Sequence, residues 1–145
     1  MSKKVLIVED EIFVALEIEQ IVEDAGYAVS AIAADRASAL DAAMDCDIAL
    51  VDLNLRDGPT GPSIGMELAA QYGVRVIYVT ANPAQIGAAS EAALGVITKP
   101  FRPHSIAATL HLAASEHTDL ETAEISGFTP FSPPPGSWSG MESTG

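Results

Sequence analysis

The sequence predicts an α/β domain built on an open parallel sheet with helices on both faces. Three observations carry that prediction. Short β-branched runs alternate with stretches of helical apolar spacing, five times in succession. The runs are nearly continuous in apolar residues, as strands buried on both faces require. Acidic residues and one lysine directly follow three of the runs, at the carboxyl ends of strands, where open α/β sheets bind ligands.

The elements follow in order. Residues 5–8 are too short a run for a helix and form the first strand. Val14, Ile18, Ile21, Val22 and Ala25 share one face of a helix, with Glu17, Glu19, Glu23 and Asp24 elsewhere and Gly26 as its stop. Residues 27–33 form a weaker second strand. Asp35 is the N-cap of a helix carrying Ala39, Leu40 and Ala43. After the turn at Asp45, Cys46 and Asp47, residues 48–53 form the third strand, and the Gly- and Pro-rich residues 56–62 form a loop. Ser63 is expected to cap a helix through Ala70 that Gly73 closes. Residues 74–79 are the fourth strand. Residues 83–94 read as a helix weakened by Gly87 and by small apolar side chains. Residues 95–98 are the fifth strand, and Pro103 opens a last helix through Ala114 with Ile106, Leu110 and Ala113 on one face. Right-handed crossovers reduce the topology to a few doubly wound orders.

Residues 1–117 are expected to form one domain with a core of its own. Residues 118–145 are rich in Pro, Gly and Ser and are expected to be disordered, because they bury too little to offset the entropy of ordering. Phe128, Phe131 and Trp138 stand out in that tail: they either anchor it or do nothing specific. A formal charge of −13 with seven Lys and Arg argues against nucleic acid and anionic membrane surfaces as partners. Cys46 is alone, which excludes an internal disulfide and fits a reducing, cytoplasmic setting. No signal-like segment or bilayer-length apolar stretch is present. His104, His111 and His117 lack a metal-ligand pattern and are expected at the surface; Met44 and Met66 are expected to fill the core.

The chemistry lies in Glu9, Asp10, Asp52 and Lys99, which the predicted sheet brings to one crevice. Clustered carboxylates with a single ammonium suit a hard divalent cation and a phosphoryl group. Taken singly each has a bland reading: Glu9 and Asp10 as a solvated turn, Thr80 as a strand-end hydroxyl on the backbone, Lys99 as a surface charge. Phosphoryl transfer needs in-line positioning and neutralised equatorial oxygens, which a metal, a lysine and a hydroxyl supply around a carboxylate nucleophile. Without the metal, repulsion among Glu9, Asp10 and Asp52 should raise at least one of their pKa values.

The stretches VLIVEDE at residues 5–11, LVDLNL at 50–55, VTA at 79–81 and TKPF at 98–101 together resemble the receiver domain of two-component response regulators, over roughly residues 3–116. The resemblance implies a flavodoxin-like, five-stranded parallel sheet of order 2-1-3-4-5. It implies that Asp52 is the phosphoacceptor. Mg2+ would be held by Asp10, Asp52, the backbone carbonyl of Asn54 and, through water, Glu9. Thr80 would donate its hydroxyl to a phosphoryl oxygen, Lys99 would pair with the phosphoryl group and Asp52, and the Lys99–Pro100 bond would be cis. A sensor histidine kinase or a histidine phosphotransfer protein would be the donor, a further protein the output partner, and the catalysis confined to the domain's own phosphorylation and dephosphorylation. Two features depart from the family pattern. Val96 occupies the place three before the lysine where an aromatic is common, with Tyr78 and Phe101 nearby but at other positions. The loop after Asp52 is long, and its glycines either allow motion or mark a tolerated insertion. The chain reads as a stand-alone receiver acting through protein contacts or as a phosphoryl shuttle or sink. The alternatives are a receiver fragment whose output domain is missing and a receiver-like module that is never phosphorylated. An aspartyl-phosphate phosphatase would need a second Asp two residues past Asp52, where Asn54 stands.

Overall fold

The computed structural model describes residues 3–115 and 125–131. The strands are β1 (Lys4–Val8), β2 (Ala28–Ala33), β3 (Ile48–Val51), β4 (Arg75–Thr80), β5 (Ala93–Thr98) and β6 (Phe128–Pro130). They form one sheet of order β2-β1-β3-β4-β5-β6. The first five are parallel, as the sequence predicts, and β6 is antiparallel to β5.

Alternation along each strand divides the core in two. Leu6, Val8, Ala49, Val51, Val76 and Tyr78 pack under α2 (Arg36–Asp41) and α3 (Gly61–Tyr72) with Ala39, Ile64 and Leu68. Val5, Ile7, Ile48, Leu50, Ile77 and Val79 pack under α1 (Ile12–Asp24) and α4 (Pro103–Ala114) with Ile18, Val22, Ile106 and Leu110. Both faces are thus covered, which is why the strands carry almost no polar residues before their carboxyl ends. Asp35 caps α2 in a reciprocal box with Ser38, accepting from Ser38 N–H at 3.0 Å. Its carboxyl is held below the usual range by those Ser38 bonds.

Several expectations are corrected. The sheet has six strands, because part of the segment expected to be disordered folds back: Phe128 is buried against the α1/α4 side of the sheet and its apolar surface drives the docking. His117 and Trp138 lie outside the described residues. Helix α3 starts at Gly61, not after Ser63. Thr60 precedes it with no side-chain cap, and Pro62 in the first turn supplies a preset φ where no amide partner is needed. Residues 83–94 do not form an α-helix. They make two 3-10 turns, Pro83–Gln85 and Gly87–Ala92, because Gly87 adopts φ +56°, outside helical space, and few large apolar side chains hold the segment to the sheet. Ala43 falls past α2 in a 3-10 turn, Ala43–Asp45. Met44 and Met66 are 85% and 45% exposed; the small residues beside them, Ala43 and Gly65, are the ones that face inward. Among the described residues no helix is long and apolar enough to cross a membrane.

Candidate phosphoacceptor site

The site is assembled by strand ends and their backbone bonds. Past β1, Glu9 N–H donates to Ala33 O at 2.8 Å, and Asp52 N–H donates to Val8 O at 2.9 Å. These bonds extend the ladder just far enough to place both acids side by side at the carboxyl end of the sheet. Glu9 and Asp52 are buried, Asp10 is exposed, and Thr80 closes β4 at 1% exposure.

Lys99 joins the group from the end of β5. Its Nζ donates to Glu9 Oε1 at 2.9 Å and to Asp52 Oδ2 at 3.1 Å. The other oxygen of Asp52 accepts from Leu53 N–H at 2.7 Å. The carboxylate is therefore fixed at both oxygens by different donors. Lys99 N–H also donates to Thr80 O at 2.9 Å, tying β4 and β5 together at their tips, and the Lys99–Pro100 bond is cis. Thr80 Oγ1 accepts from Asn82 N–H at 3.1 Å, which leaves its own proton for an acceptor in the crevice.

Sequence reasoning expects repulsion among the acids to raise one of their pKa values; Glu9 is raised, but chiefly by burial. Burial raises the Glu9 pKa, opposed by the Lys99 hydrogen bond and reinforced by the charge of Asp52. Burial alone would lower Lys99, but its bonds to Glu9 and the charges of Glu9 and Asp52 outweigh it and hold the ammonium above its usual value. One ligand oxygen from each of Glu9, Asp10 and Asp52 lies within 4.8 Å of the others. Three oxygen donors around an open crevice match a hard divalent cation that keeps some of its waters. The crevice is lined by Asp10, Asp52, Asn54, Thr80, Asn82 and Lys99 among others, so every residue predicted for the site except buried Glu9 faces it, and Glu9 reaches it through Lys99.

The sequence alone assigns no role to Gly61, Gln85 or Tyr78, which pack on or beside the site. A Cβ on Gly61 would stand 2.0 Å from Asp52 O, so the first turn of α3 packs directly on the backbone of the acid. Asn54, which lines the crevice, and Gln85 exchange side-chain amide bonds of 3.3 and 2.9 Å. Tyr78, fully buried and paired in register with Val96, donates its hydroxyl to Pro62 O at 3.2 Å or Ala89 O at 3.3 Å. The loop after Asp52 is tied down by the Leu55–Gly58 bridge and by Thr60 Oγ1 on Asp57 at 2.7 Å. His104 is exposed, and His111 lies on the surface in a 2.6 Å hydrogen bond with Tyr27.

A parallel sheet with acids at the tips of its first and third strands, a hydroxyl at the fourth and a lysine at the fifth defines a receiver. The chain matches the response regulator receiver domain model over residues 5–111 and belongs to that family. It is 33% identical over 118 residues to the phyllosphere-induced regulator PhyR of Methylorubrum extorquens, a match covering 78% of this chain and 44% of the relative. It thus spans less than half the length of that relative. Among solved structures it is similar to the REC domain of the Erythrobacter litoralis PhyR response regulator, with 28% identity, TM-score 0.73, and coverage of 81% of this chain and 94% of that one. It is also similar to the anti-anti-sigma factor PhyR of Bartonella quintana, with 29% identity, TM-score 0.67, and coverage of 78% and 47%.

Proposed function

We propose that this chain accepts a phosphoryl group onto Asp52, with Mg2+, from the phosphohistidine of a sensor histidine kinase or a histidine phosphotransfer protein, and passes the signal on through protein contacts or as phosphoryl flux. The observation that carries this reading is the Asp52 carboxylate, fixed by Leu53 N–H and Lys99 beside Glu9, Asp10 and the Thr80 hydroxyl. In the transfer an Asp52 oxygen forms the new bond to phosphorus as the phosphorus–nitrogen bond of the donor breaks, and the electron pair leaves with the imidazole. Lys99 moves part of its bonding from Asp52 to the incoming phosphoryl oxygens, and Thr80 donates its proton to another. Mg2+, held by Asp10, Asp52, the carbonyl of Asn54 and, through water, Glu9, would neutralise the remaining phosphoryl charge.

The output partner in this reading is a protein. The charge of −13 disfavours tracking the phosphates of DNA, and the Bartonella relative is by name an anti-anti-sigma factor. The lone Cys46 fits a cytoplasmic setting. Incubation with acetyl phosphate or a phosphorylated kinase should give a hydroxylamine-labile phosphate that EDTA prevents and Asp52→Asn abolishes. Undiminished labelling of Asp52→Asn would overturn the assignment.

A further inference from the structure

The sheet abandons its parallel plan at the edge of β5. There β6 pairs in the register Gly95↔Pro130, Val96↔Thr129 and Ile97↔Phe128. Thr98 N–H donates to Gly127 O at 3.0 Å, Phe131 N–H donates to Leu94 O at 2.9 Å, and Ser105 Oγ on α4 donates to Ser126 O. The seat is shaped for an aromatic ring. A Cβ on Gly95 would come within 2.5 Å of the Phe128 ring and of Thr129 O, so the bare glycine makes the room that Phe128 fills. Phe128 joins the cluster of Ile97, Ile106 and Leu110, while Phe131 packs on the other face with the cluster of Val96 and Tyr78.

The strand is short, and that makes it exchangeable. Ordering a chain segment costs about 1–2 kcal/mol per residue, and a three-residue ladder offsets this mainly through its aromatic side chains. Pro130 has no N–H to offer a further strand, so among the described residues β6 ends the sheet, and the edge fit for recognition is that of β5 beneath it. That edge also leads into the site. Gly127, just before β6, is bonded to Thr98, and the next residue, Lys99, is bonded through its backbone to Thr80 and through its ammonium to Asp52. A phosphoryl group on Asp52 competes for both the Lys99 ammonium and the Thr80 hydroxyl, and so acts on the tips of β4 and β5 next to β6.

We propose that the edge of β5 is a strand-addition site, occupied by the chain's own Phe128–Pro130 strand while Asp52 is unmodified. Phosphorylation opens it to an extended segment of a protein partner that seats an aromatic residue over Gly95. The phosphorylation-dependent half rests on the reading of Asp52 given above. The probe is a fluorescein-labelled peptide with the sequence of residues 125–131, titrated into the full chain with Mg2+, with and without beryllofluoride. Fluorine NMR reports separately whether beryllofluoride is bound. The peptide should bind at least tenfold more tightly to the beryllofluoride state. A Phe128→Asp chain, whose own strand is expelled by the buried charge, should bind it without beryllofluoride. A peptide with its first phenylalanine replaced by alanine should bind neither. Bound beryllofluoride with unchanged peptide affinity overturns the coupling. Absence of bound beryllofluoride overturns the reading of Asp52 instead. Failure of the peptide to bind Phe128→Asp overturns the strand-addition site whatever happens at Asp52.

Discussion

An alanine at Gly61 would put its Cβ 2.0 Å from Asp52 O and 2.5 Å from Leu53 Cα, against backbone that has no rotamer to relieve it. Gly61→Ala should therefore destabilise the fold by about 1–3 kcal/mol in urea unfolding, as overpacking does, and slow the phosphorylation of Asp52 by displacing its strand end. Unchanged stability with unchanged labelling would show that α3 can simply shift away. Cys46 gives a second test. Burial first, then the charges of Asp47 and Asp45, push its thiol from 9.0 to about 11. A raised thiol pKa means less thiolate at any pH below it, here about a hundredfold less. Alkylation by iodoacetamide at pH 8 should be at least tenfold slower in the native chain than in urea; equal rates would show that the Cys46 thiol is open to solvent. These two residues also mark what the sequence could tell. Glu9, Asp10, Asp52 and Lys99 were legible because they directly follow apolar runs and the sheet geometry then brings them together, whereas Thr80 was picked out only by the family resemblance. Gly61 was not legible, because a loop glycine and a close-approach glycine look the same until the chain is folded. Met44 and Met66 misled for the converse reason: an apolar side chain says nothing of which side of its element faces out.

The segment between β4 and β5 is the least regular part of the layer over α3's side of the sheet. Its two 3-10 turns are tied to the interior chiefly by Ile86 and Ala89 and by Tyr78, whose hydroxyl burial keeps well above its usual pKa and therefore a donor. Tyr78→Phe keeps the ring and removes the hydroxyl that donates to Pro62 O or Ala89 O. It should cost about 1 kcal/mol and speed amide exchange across residues 86–92 more than in α1 or α4. Uniform change across the chain would mean that Tyr78 acts only through global stability. Sequence periodicity suggested a helix here because small residues fit a helix face, but they bury too little to hold one. The β6 strand was hidden for a related reason: three residues among Pro, Gly and Ser have no period to read, and their partner, Gly95, is distant in sequence. A chain ending at residue 117 exposes the seat that Phe128 fills. It should lose about 1–3 kcal/mol, the scale of burying one large apolar side chain, and Phe128→Ala should lose most of the same amount. Identical melting of the truncated and full chains would show that β6 contributes nothing to the folded state.

The whole molecule carries a charge of −13, and the acid cluster at the strand ends holds the Lys99 ammonium bonded within it. Lys99 reaches Glu9 and Asp52, while Asp10 is exposed beside them with its ligand oxygen in the same group. Folding gathers these acids; the unfolded chain keeps them apart. A divalent cation that binds the gathered set therefore binds the folded state and stabilises it by mass action. At a free Mg2+ concentration ten times the dissociation constant the gain is about 1.4 kcal/mol, enough to raise the melting temperature by several degrees in a domain of this size. General screening of −13 by salt would also stabilise the fold, so the comparison must be with NaCl at equal ionic strength. Asp10→Ala separates the two effects: it removes an exposed acid without disturbing the core, so it should fold, respond to NaCl as the parent does, and lose most of the Mg2+ gain. An undiminished Mg2+ response in Asp10→Ala would place the cation elsewhere on the acidic surface and remove Asp10 from the ligand set.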